Sequence, residues 1–129
     1  MLDVKKLLTK ILSKLYVSGT TTAGSITWNY RKYADGILEM WGQATTTLAI
    51  ATYAGTSGTT GGLYTTASTY DIAMPSFVRS VRFITAELSG GGWADITAFT
   101  NPPQLRLYAP TSYGSASRTL AYHMIGTWS

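Results

Sequence analysis

An Asp-Gly pair flanked by two segments of alternating apolar and polar residues is the feature that most restricts the fold of this chain. Ile26 and Trp28 alternate with polar residues before the pair, and residues 38–48 run back after it. Alternation with a period of two places successive side chains on opposite faces of a strand, and Asp-Gly is a strong short-range signal for a hairpin turn. We therefore expect an antiparallel hairpin with a two-residue loop of Asp35 and Gly36.

The loop length determines which residues face one another across this hairpin. A two-residue loop places Lys32 opposite Glu39 and Tyr30 opposite Trp41, which pairs opposite charges beside the turn and aromatic rings further along. A three-residue loop would instead place Arg31 opposite Glu39. Because side chains alternate in direction, this shift of one residue would change the face on which Trp41 lies. We expect the first register.

The rest of the chain shows similar short segments separated by Gly, Pro and polar residues. Further strands are predicted at residues 63–66, 70–74, 78–88, 93–99, 104–109 and 118–128, and a loop at residues 54–62, which hold no core-forming side chain. Many short strands at near-regular spacing are typical of a sandwich or barrel, and 129 residues suffice for one hydrophobic core. We therefore predict a mainly β fold, with an antiparallel β-sandwich of jelly-roll type over residues 26–129.

Residues 1–17 have the periodicity of an amphipathic helix, and a polar linker at residues 18–25 follows them. Apolar residues recur at spacings of four, three and four, which are the a and d positions of a heptad repeat: Val4, Leu8, Ile11 and Leu15. A helix of two heptads is too short to be stable alone in water, so its apolar stripe must be covered. Packing on the chain's own strands, self-association as a coiled coil and binding to a membrane surface would each cover it. We expect self-association.

Basic residues are concentrated at the N-terminus, although the whole chain carries a formal net charge of +4. The first fifteen residues hold four lysines and one aspartate, which gives them +3 and leaves +1 for the rest. The strands therefore offer no basic stripe for a phosphate backbone, and we expect no binding to nucleic acid. The lysines also interrupt the apolar residues, and no run approaches the roughly 20 apolar residues of a membrane span. We expect neither a signal peptide nor membrane insertion.

Few residues are suited to catalysis or metal binding. The chain has no cysteine, and its one histidine, His123, lies in the middle of a predicted strand, where a structural role is expected. Of the six carboxylates, Asp71, Glu87 and Asp95 have no assigned role, and two of these could in principle form a glycosidase pair. They form no motif, and no cluster has the spacing of metal ligands. We expect a protein that is not an enzyme and that has no metal site and no cofactor.

Four aromatic residues lie beside polar, glycine-rich loops. Tyr53 and Tyr64 bracket the loop at residues 54–62, Trp93 follows three glycines, and Tyr113 lies in a polar segment. Flat aromatic rings can stack on the apolar faces of sugars while nearby hydroxyl and amide groups bind the sugar hydroxyls. Each ring could equally cap its own loop against the core. We take these four residues as candidates for ligand binding.

The hairpin resembles a pattern in phage and prophage tail-fibre or receptor-binding proteins. In residues 28–42, Trp-Asn-Tyr-Arg-Lys is followed by a turn that ends in Gly and then by Glu-Met-Trp-Gly. Such a hairpin is similar to the start of the C-terminal knob of those proteins. Two other segments are similar to parts of that knob: residues 71–77, which end in Pro-Ser-Phe, and residues 125–128. The N-terminal segment also resembles small proteins encoded near phage structural genes in Gram-positive bacteria.

The resemblance implies a trimeric, β-rich knob on a virion fibre that contacts a host surface, often its carbohydrate. Such a protein would be made in the host cytoplasm, would assemble as a homotrimer with other virion proteins and would attach non-covalently to a surface glycan. Charged residues make up only 12% of the chain, which is consistent with surface covered by another copy. Two alternatives are a purely structural virion protein, in head decoration or fibre assembly, and a small glycan-cleaving enzyme.

Overall fold

One short helix precedes ten strands in the computed structural model, which describes residues 3–12, 15–56 and 62–129. The helix α1 spans Val4–Leu12. The strands are β1 (Tyr16–Ala23), β2 (Ile26–Tyr33), β3 (Ile37–Thr46), β4 (Thr52–Thr56), β5 (Gly62–Thr65), β6 (Tyr70–Asp71), β7 (Ser80–Leu88), β8 (Trp93–Ala98), β9 (Gln104–Ala109) and β10 (Arg118–Thr127). The prediction of a mainly β chain with an N-terminal helix is confirmed.

The strands form two antiparallel sheets. The first sheet has the order β1-β2-β3-β10-β7. In the second sheet, β9 pairs with β5 and β6 along one edge and with β8 along the other, and β4 pairs with β5. Five of the strands predicted after the hairpin fall close to their predicted segments (β5, β7, β8, β9 and β10). Strand β4 overlaps the loop predicted at residues 54–62, of which residues 57–61 lie outside the described part of the chain.

Inward-facing side chains from both sheets form one hydrophobic cluster. Alternate residues of β2, β3 and β10 are buried, as the period of two requires. The largest fully buried side chains include Trp28, Leu38, Met40, Ile84, Leu107 and Met124. The indole N–H of Trp28 donates a hydrogen bond of 3.0 Å to the Ala73 carbonyl, which satisfies its only polar group inside the core.

The predicted register of the hairpin is wrong by one residue. Arg31, and not Lys32, lies opposite Glu39, and Tyr30 does not face Trp41. The loop therefore has three residues, 34–36. In the predicted register the buried Trp28 would lie on the opposite face from Leu38 and Met40, whereas in the observed register all three enter the core. The observed register buries more apolar side chains than the predicted one. This gain outweighs the loss of the predicted Lys32–Glu39 charge pair beside the turn.

The turn itself is built for a three-residue loop. Gly36 has a φ of +93°, in the left-handed region that favours glycine, and its N–H donates to the Tyr33 carbonyl at 3.0 Å. The Asp35 carboxylate accepts a hydrogen bond of 3.1 Å from the backbone N–H of Ile37. A turn followed by a left-handed glycine is the common form of this loop, so Asp-Gly marked the turn but not its length.

The N-terminal segment also differs from its prediction. The helix ends at Leu12 within the described residues, and residues 16–23, predicted as helix end and linker, form β1. This strand pairs with β2 over eight consecutive residue pairs without a bulge. Its Ser, Gly and Thr residues lack apolar alternation because β1 is an edge strand with little to bury. At Gly19 the Tyr30 ring packs against the backbone, in space that a Cβ atom would occupy.

The apolar stripe of α1 is uncovered. Asp3 caps the helix by accepting a 3.1 Å hydrogen bond from the Lys6 N–H, and every described residue of the helix is exposed. Leu8, for example, is 52% exposed, and Val4, Ile11 and Leu15 are similarly open. The described helix therefore does not pack on the strands of its own chain. No helix among the described residues is long and apolar enough to cross a membrane.

Aromatic rings surround one lysine where the helix enters the sheet. The Lys32 ammonium lies 3.9 Å from the centroid of the Phe77 ring, 5.5 Å from that of Tyr30 and 5.7 Å from that of Trp128. Trp128 is held by two hydrogen bonds, from its N–H to the Gly36 carbonyl and from its indole to the Tyr33 carbonyl. We call Lys32 and its three rings the lysine cage.

Candidate functional site

The first sheet has two well-separated ends. At one end β1 follows the helix, and Tyr16 pairs with Tyr33; we call this the helix end. At the other end Arg118 pairs with Thr46 and Leu120 with Leu88; we call this the distal end. Ten residues of β10 separate the two, which corresponds to about 30 Å of extended strand.

The four predicted aromatic residues all lie toward the distal end. Trp93 pairs with Tyr108, and Tyr64 pairs with Ala109. This end of β9 lies beside Leu88, the last residue of β7, because Gly92 in the loop between β7 and β8 is close to both. The remaining two lie close by in the fold: Tyr53 pairs with Tyr64, and Tyr113 lies so close to Gly91 that a Cβ atom there would overlap its hydroxyl. The fold thus gathers residues that are up to 60 positions apart in sequence.

The four rings differ in exposure. Tyr53 is 58% exposed and Trp93 is 47% exposed, whereas Tyr64 and Tyr113 are half-buried and pack against the core. A ring that stacks on a ligand must present a face to solvent. Tyr53 and Trp93 meet that requirement within one chain, while Tyr64 and Tyr113 also serve as caps on the core.

Both exposed rings are oriented by a second aromatic ring. Trp93 stacks on Tyr108, with ring centroids 6.0 Å apart and planes 15° apart. Tyr53 meets Tyr64 edge to face at 5.8 Å. Tyr108 was not among the predicted residues, because it becomes a neighbour of Trp93 only through the pairing of β8 with β9. Rings held in this way lose little conformational entropy when a ligand binds.

Tyr113 is engaged by its own chain. The Arg118 guanidinium carbon lies 4.3 Å from its ring centroid. Tyr113 and Ile50 exchange two backbone hydrogen bonds, of 2.9 and 3.0 Å. These contacts hold the loop at residues 110–117 against the distal end. The geometry favours a structural role for this ring over direct contact with a ligand.

The outer face of the first sheet carries a second surface that sequence reasoning missed. The Arg31 guanidinium carbon lies 5.2 Å from the Tyr16 ring centroid and 5.3 Å from the Trp41 ring centroid. Phe83, 51% exposed, and Ile125 lie across this face on β7 and β10. The surface depends on the register of the hairpin and on strand β1, neither of which was predicted correctly.

The residues considered for catalysis are dispersed. His123 is exposed on the outer face of the first sheet, where its cross-strand neighbours are Trp41 and Thr85. Asp71, Glu87 and Asp95 lie on three different strands, and none is the cross-strand partner of another. Within the described ranges, no three His, Asp or Glu residues are grouped so that they could hold a metal ion.

Comparison of the chain with protein-family models, with curated proteins and with solved structures found no match.

Proposed function

We propose that this chain is the receptor-binding knob of a phage fibre, which attaches non-covalently to a glycan on the host cell surface. The resemblance of the hairpin and of two other segments to phage knobs motivates the proposal. One observation carries it: an uncovered apolar helix lies at the helix end of the first sheet, and oriented, exposed aromatic rings on the second sheet lie toward the distal end. The helix is suited to assembly and the rings to recognition.

The proposed architecture is an antiparallel β-sandwich of jelly-roll type on a trimeric coiled coil within the virion. The common core of the two sheets supports the sandwich, since inward-facing residues of both contribute to it. The exposed stripe of α1 supports assembly, because two further copies would cover it. Three copies would present three distal ends in one direction. Weak contacts with single sugars are then multiplied by avidity.

Binding to immobilised cell-wall polysaccharides from a panel of Gram-positive bacteria tests the proposal. The wild-type chain is expected to bind at least one polysaccharide, and Trp93→Ala and Tyr53→Ala should each weaken binding by about tenfold, which corresponds to 1.4 kcal/mol. Phe83→Ala is the matched control, because that ring is equally exposed but lies on the outer face of the first sheet. Equal losses in all three variants, or no loss in the first two, would contradict the proposal.

The outer face of the first sheet favours a second candidate, a structural virion protein. Exposed Tyr16, Phe83 and Ile125 give that face apolar area of the kind that other proteins cover. In that case no polysaccharide binds, and Phe83→Ala impairs assembly into particles. A reducing-end assay on the same polysaccharides tests the glycan-cleaving alternative, for which release of new reducing ends is required.

A further inference from the structure

A pocket opens between the two sheets toward the distal end. Its volume is about 420 Å³, within the range of about 300–1,000 Å³ that is usual for ligand sites. Ile26, Ala44 and Leu120 line it from the first sheet, and Leu105 lines it from the second. The turn between β1 and β2 and the end of β3, with Thr45 and Thr46, form its rim. Both sheets therefore supply apolar walls, and hydroxyl groups line the rim.

Tyr122 lines this pocket, and its hydroxyl has no hydrogen-bond partner among the described residues. Tyr122 is 6% exposed and lies on the inward face of β10, with its ring 5.6 Å from the Trp28 ring. Among the described residues, the side-chain polar atoms that are fully buried and lack a partner are Arg106 Nε and Arg118 Nη1, so the Tyr122 hydroxyl is not fully buried. The hydroxyl therefore remains accessible. The inward face of β10, on which Tyr122 lies, borders the pocket. Burial raises the pKa of Tyr122 to about 12, so the hydroxyl stays protonated and can donate.

The charge of the lining restricts the ligand. Among the described residues that line the pocket, Asp71 is the one that carries a charge. Its carboxylate accepts a 3.0 Å hydrogen bond from the Gln104 amide, and both side chains lie on the face of the second sheet opposite the inward-facing Leu105. With a carboxylate beside the pocket and no cation among its described lining residues, an anionic ligand would be repelled.

We propose that this pocket binds one neutral sugar ring, with its apolar face on the aliphatic walls and its hydroxyls on Tyr122 and on the threonine hydroxyls of the rim. This inference rests on the proposed glycan-binding function and adds a site and a ligand class to it. Uronic acids and phosphorylated sugars should be excluded from the pocket itself.

Chemical-shift mapping with monosaccharides tests the site on the full-length protein. Methyl glycosides of glucose, galactose, N-acetylglucosamine and rhamnose are the neutral probes, and glucuronate is the matched anion. At least one neutral probe should shift the amide signals of Ser25, Thr46 and Asp71, whereas glucuronate should not. Tyr122→Phe should weaken that binding by roughly three- to tenfold, the value of one hydrogen bond. Its melting temperature should be unchanged or higher, since an unpaired hydroxyl is removed.

A second variant tests whether the charge of Asp71 excludes anionic sugars. Asp71→Asn keeps the size of the side chain and should admit glucuronate to the pocket. Phe83→Ala is the control and should leave all pocket shifts as in the wild type. Shifts confined to Trp93 and Tyr53 would contradict sugar binding in the pocket but would leave the proposed glycan-binding function intact. The absence of shifts with every probe would also contradict sugar binding in the pocket. The polysaccharide assay would then test the proposed function separately.

Discussion

Lys32 illustrates how single residues in distant segments depend on one another. The rings of its cage come from residues 30, 77 and 128, which lie far apart in the sequence. A cation over an aromatic face is stabilised by about 0.5–2 kcal/mol, depending on its desolvation. These contacts join three separate segments of the chain at the helix end of the fold.

Tyr122 should make the stability of the protein fall at high pH. Its pKa is raised from 10.0 to about 12 by burial, so the folded state holds the phenol proton more tightly than the unfolded state does. This contribution is complete below pH 10 and is lost as the pH rises from 10 to 12. Two pKa units correspond to a loss of at most about 3 kcal/mol.

Urea unfolding at pH 9 and at pH 11.5 measures this effect. The Tyr122→Phe variant is the reference, because it retains the ring beside Trp28 and lacks the titrating group. Its stability should decline less than that of the wild type over the same interval. Identical declines in the two proteins would show that Tyr122 does not titrate in this way.

At the scale of elements, the observed pairing of β2 with β3 requires glycine at position 42. A Cβ atom at Gly42 would lie 2.7 Å from the Thr27 carbonyl oxygen and 2.8 Å from the Trp28 ring. The Gly42→Ala variant should therefore lower the free energy of unfolding by about 1–3 kcal/mol through overpacking. The measurement is chemical denaturation, with Gly114→Ala as the control, because a Cβ atom there meets nothing within 4 Å. Equal effects of the two substitutions would refute this account of the register.

Elements with a buried face were predictable, and those without one were not. Strands β9 and β10 bury alternate residues, so their sequences carry the period of two. Strand β1 buries none of its residues fully, and its Thr-rich sequence is indistinguishable from that of a linker. The same limit applies to the candidate site. Sequence identified Trp93 beside a glycine-rich loop, but pairing it with Tyr108 requires the register of two strands.

The inter-sheet pocket could not be anticipated from sequence for a further reason. Its lining comes from five strands and the turns between them, and each lining residue alone is an ordinary core or rim residue. Only the relative placement of the sheets leaves a gap beside Tyr122. Apolar periodicity predicts which side chains point inward. It does not predict where the inward-facing side chains of the two sheets leave a cavity between them.

At the scale of the whole molecule, we expect assembly into a homotrimer through α1. Light scattering on the wild-type chain should give three times the monomer mass of 13.9 kDa. Leu8→Asp combined with Ile11→Asp should weaken assembly, because each apolar side chain contributes roughly 1.5–3 kcal/mol per copy when buried. The circular dichroism of the strands should not change, since no described residue of the helix is buried in its own chain.

The control places two aspartates on the polar side of the helix, as Lys5→Asp combined with Thr9→Asp, and so adds even more negative charge than the test variant. This variant should retain the mass of the wild type. A wild-type chain that is monomeric at all accessible concentrations would rule out the trimer. Residues 1–2 and 13–14 lie outside the described part of the chain, so the measurement should use the full sequence.

The helix and Trp128 both join the fold at the turn between β2 and β3, and this determines how the molecule would bear mechanical load. The Leu15 carbonyl accepts from the Ala34 N–H at 2.9 Å, and the Trp128 N–H donates to the Gly36 carbonyl at 3.0 Å. A pull between the helix and a ligand at the distal end runs along the strands. Hydrogen bonds between antiparallel strands lie perpendicular to that direction, so many must shear together before the sheet yields. A pull between the helix and Trp128 would instead strain only the few bonds around the turn, one after another.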